Sequence, residues 1–125
     1  MGVLLKLKCK SSFGAKSKEF KKLAHDICLH IAAAKPLFVK PDDIDPKFLD
    51  GEKKIYKKQF ADSGKPDKVI KQIIEGKLKK YKEESSLLTQ KWVKDQEKTI
   101  QDLIDDYIQK IGEPIQVEKF ERYEI

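Results

Sequence analysis

Arginine is nearly absent from this 125-residue chain: of its 27 basic side chains, only Arg122 is not a lysine. Direct recognition of nucleic acid is therefore not expected. The planar fork that reads phosphates and base edges comes from arginine, whereas lysine offers a hydrated point charge. The lysines are also interleaved with 21 acids, leaving a net charge of +6, which describes a solvated surface. Long apolar runs are missing too. Nothing approaches the roughly 18 residues of a membrane span. Met1-Gly2-Val3-Leu4-Leu5 passes at once into alternating lysines, unlike a signal peptide. Lys6 stands where a myristoylation signal asks for Ser or Thr.

Metal-ligating residues are scarce as well. Two cysteines and two histidines are present, with no CxxC. Cys9 and Cys28 fall on apolar sides of a strand and a helix, as reduced core residues of a cytosol-like compartment do. In a helix His30 points nearly opposite to Cys28, so no zinc site and no other cofactor is expected. No GxGxxG, Walker loop, GxSxG or HExxH occurs. The pairs Asp42-Asp43 and Asp105-Asp106 are adjacent in sequence, so their side chains diverge. His25 and His30 have no orienting acid beyond the neighbouring Asp26. A binding protein fits this inventory better than an enzyme.

What is present is periodic. Residues 3–10 alternate apolar and polar as a half-buried strand does. Ser17 can cap a helix with Phe20, Leu23, Ala24, Ile27, Cys28 and Ile31 on one face, ended by Lys35-Pro36. After "VKPDDIDP", Asp45 and Pro46 read as the N-cap and first-turn proline of a second helix, running to about Asp62. "SGKP" turns the chain into a third helix with Val69, Ile70, Ile73, Ile74, Leu78 and Tyr81 in a stripe and a lysine-rich opposite face. Thr99 and Asp102 form a capping box for a fourth, whose first turns are acidic and which Gly112 stops.

Oppositely charged, consecutive helices suggest an antiparallel hairpin over about 66–111, with Leu87, Leu88, Trp92 and Val93 at its tip. Such a cluster either caps the hairpin's own seam or, as exposed apolar clusters do, marks a docking site. From Ile115 strand alternation returns, with Ile115, Val117, Tyr123 and Ile125 on one side and a bulge expected near Lys119-Phe120. Glu118 and Glu124 on its outer face complement Lys6, Lys8 and Lys10 on the first strand. The class is α+β: one domain over 1–125, a small antiparallel sheet packed on helices, with an inserted antiparallel helical hairpin.

One stretch leaves two readings open, an aromatic anchor folded back into the chain's own core or a probe held out for another molecule. "KCKSSFGAK", residues 8–16, sets Phe13 in a turn ringed by lysines. "GVLLKLKCKSSFGAKSKEF" resembles the strand and Thr-Asp-Phe-Val-Ala loop of the translation elongation factor Ts family. "LAHDICLHIAAAKPLFV" resembles its histidine-bearing helix, "SGKPDKVIKQIIEGKLKKY" and "SLLTQKWVKD" its hairpin and tip, and "KIGEPIQVEKFERYEI" its closing strand. The likeness runs essentially end to end, with the motifs in order.

The resemblance implies a guanine-nucleotide exchange factor for elongation factor Tu, active in translation elongation without breaking a bond. It implies that Ser11, Ser12, Phe13 and Gly14 form a loop that disturbs the Mg²⁺–nucleotide site, with Phe13 as an outward probe. His30 would lie at the same surface, and Leu87, Leu88, Gln90, Trp92 and Val93 would make a further partner contact. Ser12 and Gly14 stand where the family has aspartate and valine. That supports an alternative, a binding or assembly module that keeps the fold without exchange activity. RNA binding through helix 66–82 is a third reading. The family's small N-terminal helical module and a strand before Val3 are not in this sequence. The free edge of Val3–Cys9 would then pair two copies into a homodimer. The compartment implied is cytoplasm, or an organelle matrix.

Overall fold

A computed structural model describes residues 1–124 and has the α+β class expected, with five α-helices and two small antiparallel sheets. The first sheet joins the two ends of the chain. Strand β1 (Gly2–Cys9) pairs antiparallel with β4 (Ile115–Tyr123), Cys9 opposite Ile115 and Gly2 opposite Tyr123. Val3, Leu5, Leu7 and Cys9 alternate inward, as a period of two requires. Between these strands lie α1 (Ser12–Ala15), α2 (Lys18–Ala34), α3 (Pro46–Phe60), α4 (Asp67–Ser85), the hairpin β2–β3 (Lys91–Trp92 and Asp95–Thr99) and α5 (Ile100–Ile111).

The caps follow from local chemistry. Ser17 Oγ accepts the Phe20 N–H at 3.2 Å, and Asp45 accepts from Lys47 N–H ahead of Pro46. Thr99 and Asp102 exchange reciprocal capping bonds. Lys35 at α2 and Gly112 at α5 end their helices in the left-handed conformation. At Gly112, φ of +80° suits a residue without a Cβ. The core is the face shared by α2, α5 and the inner sheet: Leu23, Ile27 and Ile31 against Ile100 and Ile104, closed by Ile115 and Val117. Each such side chain contributes about 1.5–3 kcal/mol on burial.

Two expectations need correction. The helical hairpin exists, but α3 and α4 build it rather than α4 and α5 over 66–111. The reversal is made by the link between them, where Gly64 has φ of +73°. Phe48 stacks near Tyr81 with ring centroids 5.7 Å apart. The Lys77 ammonium lies 5.3 and 5.2 Å from the rings of Tyr56 and Phe60. Charge complementarity pointed to the wrong pair, because the stripe of α5 is taken up by α2, where apolar burial outweighs exposed charge. Beyond α4, "SSLLTQKWV" is no distal tip. Leu87 N–H donates to Phe38 O at 2.7 Å and Leu88 N–H to Val39 O at 3.0 Å, stitching the segment into the body.

The second correction concerns β4. Lys6 faces Lys119 but Leu7 faces Val117, so Glu118 is the inserted residue of a bulge. Phase inverts beyond it: Phe120 and Arg122 turn inward, and Tyr123, expected inside, is exposed. Ile125, expected on the same side, lies outside the described residues. Glu118 binds both Lys6 (2.9 Å) and Lys8 (3.1 Å), and these bonds hold its carboxyl below the usual carboxylate range.

Candidate functional site

The loop after β1 is built from short-range bonds and one long-range anchor. Ser11 caps α1, its Oγ accepting the Gly14 N–H at 3.0 Å. Ser17 Oγ donates to Gly14 O at 2.7 Å, tying the end of α1 to the start of α2. The Cys9 thiol donates to Ser11 O at 3.1 Å. From the far end of the sequence, the Glu113 carboxylate accepts twice: from Ser11 N–H at 2.6 Å and from Ser11 Oγ at 2.7 Å. Gly14 is buried against this carboxylate. Ser12 and Phe13 face outward, and Phe13 is 87% exposed. A large apolar side chain is thus presented on an anchored turn, with Lys10 and Lys16 exposed beside it in sequence. A ring offered in this way can fill a pocket in another molecule.

The remaining expected site residues form a second cluster with a different character. His30 is fully buried, not at a surface. Its Nε2 lies 3.0 Å from Gln90 Oε1, and its Nδ1 accepts the Val93 N–H at 3.3 Å. An acceptor at Nδ1 fixes the proton on Nε2 and the ring as neutral. Burial holds this imidazole below the usual histidine value, against the opposing effect of the Gln90 bond. Gln90 Nε2 donates to Glu84 O at 2.7 Å, and Gln90 O accepts the Ile100 N–H at 3.0 Å. His30 therefore pins the segment joining α4 to α5.

Leu87 is in the core, Leu88 and Trp92 are half-buried against it, and Val93 alone of the apolar four is exposed. The spacing that identifies His30 as a core residue is in the sequence: it follows Leu23 by seven residues and Ile27 by three, on the apolar stripe. Two roles are not announced by the sequence. Glu113 is signalled only by its place directly after the Gly112 cap. Asp26, expected only as an acid beside His25, is buried and bonded to Lys94 Nζ at 3.1 Å, clamping α2 to the β2–β3 turn.

These features define a class: an α+β module that carries one exposed aromatic on a braced turn. Its sequence relatives give the family. A family model described as elongation factor TS matches residues 1–125. Elongation factor Ts of Thermosipho melanesiensis is 44% identical over the whole chain, which covers 64% of that protein. The Koribacter versatilis protein of the same name is 44% identical, with 57% of it covered. That of Fervidobacterium nodosum is 46% identical, with 64% covered. The chain belongs to the elongation factor Ts family, and it spans about three-fifths of the length of these curated relatives.

Proposed function

We propose that this chain is a guanine-nucleotide exchange factor for elongation factor Tu in translation elongation. The observation that carries the reading is Phe13, 87% exposed on a braced turn in a chain of this family. Such a protein binds the nucleotide-free GTPase more tightly than the GDP-bound form. By linkage, nucleotide must weaken its binding by the same factor. Phe13 wedges into the GTPase near the nucleotide, and the loop from Ser11 to Gly14 displaces the Mg²⁺ that neutralises the phosphates, so GDP leaves. Val93 is the exposed member of the second segment and the contact we assign there. Leu87, Leu88, Gln90, Trp92 and His30 support that segment from behind.

Ser12 favours a second reading, a binding or assembly module without exchange, because serine brings no charge to the loop where the family pattern has aspartate. Two copies would associate through the edge of β1 that β4 does not pair, with Leu4, 66% exposed on the outer face of the same strand, adding apolar contact, in a cytoplasm-like compartment. The test is release of a fluorescent GDP from preloaded elongation factor Tu. The wild-type chain should accelerate release, Phe13→Ala should abolish most of the effect, and Ser12→Asp should raise it. Binding to the GTPase without faster release would favour the second reading, and neither binding nor release would remove both.

A further inference from the structure

The geometry points to Glu113 as the positioning residue of the Phe13 turn. This deepens the exchange reading and rests on it. A four-residue helix cannot hold itself in water, where isolated helices shorter than about 12 residues are marginal. The orientation of α1 must therefore come from tertiary anchors. Glu113 supplies the strongest of them, receiving both the backbone N–H (2.6 Å) and the hydroxyl (2.7 Å) of Ser11 on one carboxylate. Bonds to an ionised acceptor are about twice as strong as neutral ones. Ser11 passes the constraint on, because the same hydroxyl caps α1 by accepting the Gly14 N–H.

The carboxylate is itself rigidly carried. It follows Gly112, which closes α5, and precedes Ile115, which pairs with Cys9 at the root of the turn. Gly14 leaves the space it occupies: a Cβ there would strike the carboxylate and lie 3.3 Å from Cys9 Sγ. Glu113 touches no partner in this scheme. It fixes the direction of Phe13 through Ser11, so that the ring meets the GTPase without first having to be ordered.

The test uses the 125-residue chain and has two arms. In the first, amide hydrogen exchange of Ser11 and Gly14 is followed in the isolated protein. Glu113→Ala should expose both amides, whereas Glu113→Gln, which can still accept from the N–H and donate to the hydroxyl, should keep them protected. In the second, GDP release from elongation factor Tu is measured. Glu113→Ala should lower kcat/KM by about tenfold, the population lost when the bonds are released, and Glu113→Gln should restore most of the rate. In a Phe13→Ala background Glu113→Ala should change nothing further. A general loss of fold would instead lower what remains.

Unchanged Ser11 protection in Glu113→Ala, or an undiminished drop in the Phe13→Ala background, would overturn the assignment. If Glu113→Ala fails to fold, Ser11→Ala takes its place with the same expectations for Gly14 protection and release. A wild-type chain that releases no GDP would overturn the exchange reading. The amide arm would still decide whether Glu113 anchors the turn.

Discussion

His30 and Gln90 lie sixty residues apart in sequence and 3.0 Å apart in the fold. Their bond, with the Val93 amide on the other ring nitrogen, attaches the whole passage from α4 to α5 onto α2. His30→Ala should cost about 2–4 kcal/mol, since it opens a cavity and leaves the Gln90 oxygen and the Val93 amide unpaired. Urea denaturation followed by Trp92 fluorescence would measure it. A loss under about 0.5 kcal/mol would contradict the burial described.

The same residue predicts a pH dependence. Because burial lowers the imidazole pKa in the fold below its ordinary value of 6.5, the unfolded chain binds the extra proton first. The contribution of His30 to stability is therefore complete above about pH 6.5 and is lost progressively as pH falls towards the folded value. The urea midpoint should drop between about pH 7.5 and about pH 5.5. A His30→Gln variant should show a shallower drop, and an equal one would assign the dependence elsewhere.

Phe13→Ala should leave stability within about 0.5 kcal/mol of wild type, because the ring is almost wholly in solvent. Lost GDP release at an unchanged melting temperature would separate recognition from folding. A clearly lowered melting temperature would mean that the ring packs against its own chain.

Gly14→Ala sets two effects against each other. Alanine favours a helical position over glycine by about 1 kcal/mol, but its Cβ displaces the Glu113 carboxylate from Ser11. Global stability should change little while the Ser11 amide exchanges faster. Protection equal to wild type would show that the carboxylate accommodates the methyl group without releasing Ser11.

Thr99→Ala removes half of the capping box of α5 and should cost about 1 kcal/mol. A thermal melt suffices to detect it. No shift would mean that the β2–β3 hairpin alone fixes the start of α5.

The elements legible in the sequence were those set by neighbours along the chain. Ser17, Asp45 with Pro46, Thr99 with Asp102, and Gly112 each mark a helix end because a cap is satisfied within three or four residues. Alternation gave β1 in the same way, and Phe13 stood out as an aromatic in a turn ringed by cations, though its outward direction came only from the resemblance. Pairings were less legible. Exposed charge on α4 and α5 suggested one hairpin, while the aromatics of α3 chose another. The β2–β3 hairpin turns at Val93-Lys94, without the Asn-Gly or Asp-Gly signal that announces a tight turn. The partner of Glu113 was not legible, because Ser11 is 102 residues away, a distance no periodicity spans.

The bulge at Glu118 makes the stretch from Gly112 to Arg122 a molecular ruler. Because the strand changes phase there, Arg122 Nη2 reaches back to the carbonyl of Ala32 near the end of α2, 3.1 Å away. Deleting one residue within this span would exchange the dry and wet sides of everything downstream, drawing Tyr123 under the helices and swinging the sole guanidinium off the α2 terminus. Insertions and deletions should therefore be tolerated in the link between α3 and α4, which has no such length to keep, and rejected here.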